Sequence, residues 1–311
     1  MTIDLAKRPD FPVAIDSTMR AEFISCPRKF FYRHLHSMHR KGGTSIDLHA
    51  GQCFAKALEI ARRLYYTGVA TPDAALRQAL VAFVHAWGTF EEPEDTKKTF
   101  ANMFAAVVDY FDEYPLEYDP FVPLVAKDGM PMVEFSFAIP LEGLLHPQTG
   151  EPIIYFGRTD MIGEMAKGSG LILVEDDKTT SALGARWASQ WELRAQFTGY
   201  VWAARYHGIP AQGALVRGIS ILKESFGHIQ AGPIYRNDWE IKRWEEQLRR
   251  DIKRMIQSWE ESYWDYNLDH ACSQYSGCPF LQLCDVEQPE QWLGDYEVRV
   301  WDPLKSENDN G

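Results

Sequence analysis

The chain of 311 residues is 45% hydrophobic and 24% charged, long enough to bury a large core in one elaborated domain and ordinary for a globular protein. No apolar run approaches the roughly 20 residues that span a bilayer, and the start MTIDLAKRPDFPVAID has no apolar signal core, so no membrane partner and a cytoplasmic location are expected. The net charge of −12 argues against a phosphate-rich partner, which needs Lys and Arg, but from Asp285 onward eight acids face only Arg299 and Lys305, so half the excess lies in the tail.

In chain order, the first third predicts amphipathic helices near 18–40, 50–67, 72–88 and 96–114, with Thr71-Pro72 as an N-cap and first-turn pair and Gly42-Gly43 and Gly68 as stops. Phe23 to Ile46 contains no acid, but has Arg28, Lys29, Arg33, Arg40 and Lys41 with three histidines; a phosphate-facing strip and a solvated basic helix face fit it equally. From Met132 the pattern changes to short aliphatic and aromatic runs, which predict strands at 132–139, 153–163 and 171–177, with Gln148-Thr149-Gly150 as a turn. A helix over 187–206, strands at 214–222 and 228–235, and a long helix follow. In that last helix Asn237 and Glu240 resemble a capping box, and Ile241, Trp244, Leu248, Ile252, Met255 and Trp259 keep helical spacing, as core rather than base-stacking residues. The order implies an α/β core preceded by helices, divided as a helical region over 1–120, a core over 121–236 and a C-terminal helix, cysteine cluster and acidic tail over 237–311, all in one integrated domain.

Gly157-Arg158-Thr159-Asp160 and Val174-Glu175-Asp176-Asp177-Lys178 stand at the ends of consecutive predicted strands. Carboxylates there suit a divalent cation such as Mg²⁺ or Mn²⁺, which takes a few carboxylates plus water. Because strand side chains alternate, Asp176 and Lys178 share a face and Asp177 points away, so Asp176 is the expected ligand and Lys178 the cation that assists at phosphate. A solvated strand end is the bland alternative.

The cysteines are the second constellation. Cys272, Cys278 and Cys284 crowd one segment broken by Gly277 and Pro279, and Cys26 stands far upstream. Four thiolates fit an iron-sulfur cluster or a tetrahedral Zn²⁺ site, and spacing alone does not choose. Cys53 is expected to be a core thiol.

Asp160, Asp176-x-Lys178 and Gln196-x-x-x-Tyr200, on strand, strand and helix, resemble the RecB-like branch of the PD-(D/E)xK nucleases. The resemblance implies a restriction-endonuclease-like mixed sheet flanked by helices, with an N-terminal helical arm and a cysteine-rich C-terminal staple. It further implies metal-dependent cleavage of DNA, as single strands or ends, with Gln196 and Tyr200 supporting the site; without it Tyr200 reads as core. The early Cys-Pro-Arg-Lys-Phe with three late cysteines is similar to the [4Fe-4S] staple of AddB and CRISPR-associated RecB-like exonucleases, and His49-Ala50-Gly51 with Cys278-Pro279-Phe280 is similar to nucleases of phages and prophages, hence a bacterial or phage-infected host cell. A helicase or recombination partner and a homo-oligomer both stay open.

One position departs from that pattern. Ala55 stands where such nucleases carry a ligating His. Glu59, one helical turn on, is the expected substitute, the alternative being an exposed acid paired with Arg62 or Arg63. The rivals to a nuclease are a catalytically degenerate DNA- or protein-binding module and a zinc-stapled interaction protein.

Overall fold

The computed structural model describes residues 3–42, 45–223, 225–268, 270–273 and 277–300. Along the chain these form β1 (Ala14–Ile15), α1 (Ser17–Ser25), α2 (Pro27–Phe30), a π-turn (Phe31–Leu35), β2 (Met38–Arg40), α3 (Ile46–Tyr66), α4 (Pro72–Trp87), α5 (Phe100–Glu113) and β3 (Phe121–Pro123). Then come β4 (Val133–Leu145), β5 (Pro152–Met165), β6 (Ile172–Thr180), α6 (Ala185–Ser189), α7 (Ala195–Tyr206), β7 (Gly213–Ile221), β8 (Phe226–Tyr235) and α8 (Asp238–Glu261). The order closes with α9 (His270–Ser273), α10 (Leu281–Cys284), a 3-10 turn (Pro289–Asp295) and β9 (Tyr296–Val298). The chain divides into two compact units. One comprises Thr44–Ser136 and Arg158–Ile241, the other Met1–Gly43, Phe137–Gly157 and Lys242–Gly311.

The first of these holds a mixed sheet in which β5 pairs antiparallel with β6 and β3, β6 pairs parallel with β7, and β8 closes antiparallel on β7. A parallel pair needs a crossover, and α7 supplies it. Helices α3 and α5 cover the face of β6 that carries Glu175 and Asp177, since Arg62 and Tyr110 bond to those acids. The other face takes α6, whose Trp187 ring lies over Gly218 on β7. A Cβ there would come within 2.4 Å of that ring, so only glycine admits it. An apolar cluster among α3, α4 and α5, built on Phe54, Phe83, Trp87 and Met103, also takes in Cys53 as a packed thiol. Helix α4 starts as expected, Thr71 Oγ1 accepting from Ala74 N–H with Pro72 behind it, and the Asn237–Glu240 box forms with both bonds at 2.9 Å. The sheet with its helices is the predicted α/β class.

Three local expectations fail for identifiable reasons. The helix expected over 18–40 stops at Cys26, because Pro27 forces the preceding residue into extended backbone (φ −161°, ψ 108°) and then starts α2; its last residues become β2, paired with β9. The helix expected over 187–206 breaks between α6 and α7, where a five-residue turn intervenes. Strands β5 and β6 run to Met165 and Thr180, so Asp160 and Asp176–Lys178 lie inside strands rather than at their ends.

In the second unit, the basic strip is largely spent internally. Glu22, just ahead of the strip on α1, takes Lys29 at 3.2 Å, Arg33 at 3.8 Å and His34 at 3.0 Å, and these partners hold its carboxyl below the ordinary value against the opposing effect of burial. Arg28 donates to Tyr32 and lies over the Phe31, Tyr32 and Tyr266 rings. Trp244, Leu248, Ile252, Met255 and Trp259 of α8 are buried as the spacing predicts. Of the acidic tail, Asp302, Glu307 and Asp309 lie outside the described residues.

Candidate active site and thiol cluster

The antiparallel register of β5 and β6 aligns Met161 with Glu175, so one step further Asp160 stands opposite Asp176. Asp160 Oδ2 accepts the Asp177 backbone N–H at 2.8 Å, and Lys178 Nζ pairs with Asp176 Oδ2. Both Asp160 and Asp176 have raised pKa values. For Asp160 burial leads, followed by the charges of Asp176 and Glu134; for Asp176 burial leads, opposed by Lys178. Lys178 is held protonated, burial being outweighed by Asp176 and Asp160. Two carboxylates facing each other across paired strands at this cost, with one ammonium paired to Asp176, form a donor set that suits a hard divalent cation.

Glu134 was not anticipated. It sits in β4 with φ at +54°, a left-handed conformation rare for a residue with a Cβ. Its carboxylate meets Arg158 at 2.8 Å, and burial, with Glu59 nearby, pushes its pKa up to about 7. Its effect on Asp160 makes it a member of the acid group, and a strained backbone beside such a group is a mark of a functional position. In the sequence the one signal is a lone acid in the run Met132-Val133-Glu134-Phe135. Arg194, just ahead of α7, is the second omission: its charge weakly opposes the rise in the Asp176 pKa.

The other expected residues are placed as follows. Gln196 Nε2 donates to Tyr200 Oη at 2.8 Å within α7, and Tyr200 is buried, so the pair braces itself and its ring is core. Glu59 bonds Lys56 at 2.9 Å and Arg63 at 3.0 Å. Its helix packs on the Glu175–Asp177 face of β6, and its charge is felt at Glu134. Arg62 is not its partner. Among the described residues no three acid, imidazole or thiol groups meet in an arrangement that would hold an ion, so Glu59, Asp160 and Asp176 are not gathered as one three-ligand shell. His49 stacks on Phe90, 4.0 Å between ring centres, and lies 3.6 Å from Cys53.

The family model of the PD-(D/E)XK nuclease superfamily matches residues 18–285. The chain belongs to that superfamily. Nucleases make up the superfamily, and the acid-lysine group above lies on the strands that its model spans. No curated protein matches the chain. Among solved structures, a protein of Eubacterium rectale named a putative exonuclease shares 12% identity at a TM-score of 0.46, covering 82% of this chain and 84% of its own. A protein named SSO0001 shares 13% at 0.30, covering 66% and 74%.

Cys26, Cys272, Cys278 and Cys284 line one pocket together with Lys29, Tyr32 and Phe280. Burial raises the pKa of Cys278, and that of Cys284 to about 11, and neighbouring thiols push both the same way. Four softening sulfurs around one cavity are the donor type that Fe or Zn takes as thiolates. No helix of the described residues is long and apolar enough to cross a membrane.

Proposed function

We propose that the protein is a metal-dependent deoxyribonuclease of the RecB-like branch, acting on single-stranded DNA or DNA ends in a bacterial or phage-infected cell. The observation that carries the reading is the Asp160–Asp176–Lys178 group, two carboxylates facing each other across the paired strands β5 and β6 with an ammonium bound to one of them. Asp160 and Asp176 would hold Mg²⁺ or Mn²⁺, with Glu134 or Glu59 completing the donors directly or through water. Bound there, the ion would polarise a phosphoryl oxygen and make water a better nucleophile. Asp160 is oriented by the Asp177 N–H, Asp176 by the Lys178 ammonium, and Lys178 keeps its proton to offset charge on the phosphate. Gln196 and Tyr200 brace the first turn of α7, and Arg194 beside them is free to meet the DNA backbone. Labelled single strands should be cut with Mn²⁺ and left whole with EDTA; no cutting by pure protein at any metal concentration would refute the reading.

The four thiols are proposed to hold a [4Fe-4S] cluster, with Zn²⁺ as the alternative that metal analysis of anaerobically purified protein would reveal. A second reading, a degenerate binder, draws on Ala55 and on the engagement of Glu59 by Lys56 and Arg63. It predicts DNA binding without cleavage in the same assay.

A further inference from the structure

On the face of β6 turned away from Asp176, buried charges form a closed network. Arg62 Nη1 meets Asp177 Oδ2 at 2.7 Å, and its Nη2 lies 3.2 Å from Glu175 and 2.9 Å from Tyr110 Oη. Tyr110 Oη in turn donates to Asp177 Oδ1 at 2.6 Å. Arg217 from β7 grips Asp119 with both nitrogens at 2.6 and 2.7 Å and approaches Glu175 at 3.2 Å. Arg62, Glu175 and Arg217 are all at most 3% exposed. Such a network gains little stability over packed apolar side chains, because each ion gives up its water on burial. Its position is more informative than its energy. The two acids that Arg62 holds are the immediate neighbours of Asp176, one on each side. The peptide N–H of one of them, Asp177, is the donor that orients Asp160.

We propose that Arg62, with Tyr110, is a positioning residue for the cation site: by clamping Glu175 and Asp177 it fixes the β6 backbone on both sides of Asp176 and aims the Asp177 N–H at Asp160. A strand held at the residues on either side of a ligand cannot rotate that ligand's peptide, and an N–H held in place fixes the second carboxylate as well. Both proposed ligands are thus oriented by one guanidinium that touches neither. The inference rests on the reading of Asp160 and Asp176 as metal ligands. Removing outer supports of metal ligands typically costs roughly 10–100-fold in affinity, and that is the range expected here.

The test is titration of full-length protein with Mn²⁺, followed by calorimetry and by the metal-induced rise in melting temperature, alongside cleavage. Tyr110→Phe removes one hydroxyl and leaves the ring; Arg62→Lys keeps the charge and loses the fork. Both should weaken Mn²⁺ binding about tenfold or more and shift the Mn²⁺ needed for half-maximal cleavage by the same factor, with cleavage at saturating Mn²⁺ largely restored. Phe83→Leu, in the apolar cluster of the helices, should lower the melting temperature without changing Mn²⁺ affinity. If the wild type binds Mn²⁺ and cuts while Tyr110→Phe binds it as tightly, the network is only structural and the inference fails alone. If the wild type neither binds Mn²⁺ nor cuts, the function proposed above fails and takes this inference with it.

Discussion

The acid group and the thiol pocket are both candidate metal centres, and they are built in opposite ways. Asp160, Asp176 and Lys178 project from long paired strands, and hydrogen bonds to Asp160 and the Arg62 network around Asp176 orient them before any ion arrives. Cys26 stands at the Pro27 break, Cys272 and Cys284 in two four-residue helices, and Cys278 in the irregular stretch ahead of the second, so little regular structure holds them. Cys278 N–H bonds the Cys272 carbonyl at 2.9 Å, a short-range tie. A site that ends on a sheet can be complete in the metal-free protein, at the cost of buried repulsion. One assembled from short turns leans on its ligand for order, as structural metal sites commonly do.

The largest break in that comparison should come at Asp176. Asp176→Ala or Lys178→Ala removes a group that acts on the reacting phosphate, and should cost several kcal/mol of transition-state stabilisation, ~10³-fold or more in rate. Folding should survive. Asp176→Asn, which removes a charge held at a raised pKa by burial, should melt at the same or a higher temperature without metal. Normal cleavage by both alanine variants would remove the site assignment. The thiol pocket should respond the other way, losing stability rather than chemistry. Anaerobically purified protein should be brown with broad absorption near ~400 nm, and Cys284→Ser should lose the colour together with several degrees of melting temperature. A colourless protein rich in zinc would replace the cluster with the alternative ion.

Metal-free stability should also depend on pH in a direction that marks the buried carboxyls of Glu134 and Glu175 as preformed. Glu134 and Glu175 have carboxyls pushed up by burial to about 7 and about 8, against an ordinary 4.5. In the folded chain they keep protons that the unfolded chain has already released, so stability falls as pH rises from about 4.5 through those values. Each group can contribute up to about 1.4 kcal/mol per pH unit within its window. Chemical denaturation in EDTA at pH 5 and pH 8 should show the loss, and Glu175→Gln should flatten the upper part of it. Stability rising over that interval would mean that the acids are not buried as described.

The legible part of this molecule was what short-range pattern encodes. Strand alternation put Asp176 and Lys178 on one face, and helical spacing found the buried stripe of α8. Arg62 shows why the rest was hidden. Its nearest acid in sequence is Glu59, three residues away, yet its partners are Glu175 and Asp177, 113 and 115 residues on, a choice made by sheet packing. Glu134 owes its place to a left-handed backbone that no composition announces. The two-residue β1 and three-residue β2, β3 and β9 are too short to show a period.

The smallest expected effect belongs to Glu59, where the chain departs from the pattern of RecB-like nucleases. Two strand carboxylates leave much of an octahedral shell to water, which weakens Mg²⁺ binding, and Ala55 has no donor atom to help. Glu59 lies on the same helical face as Ala55, and its side chain leans back towards that position. Its present partners are Lys56 and Arg63, i−3 and i+4 contacts on a half-exposed surface that are worth little and are easily exchanged. It also stands close enough to Glu134 to raise that carboxyl's pKa. Glu59 is therefore expected to help the site mainly through Glu134 or a bridging water. Glu59→Gln should raise the Mg²⁺ needed for half-maximal cleavage only a few-fold, less than Tyr110→Phe, and barely move the melting temperature. Glu134→Gln should exceed it, since Glu134 is the neighbour that Asp160 feels. An unchanged metal dependence in Glu59→Gln, with a large one in Glu134→Gln, would make Glu59 a surface acid and transfer its expected role to the strand.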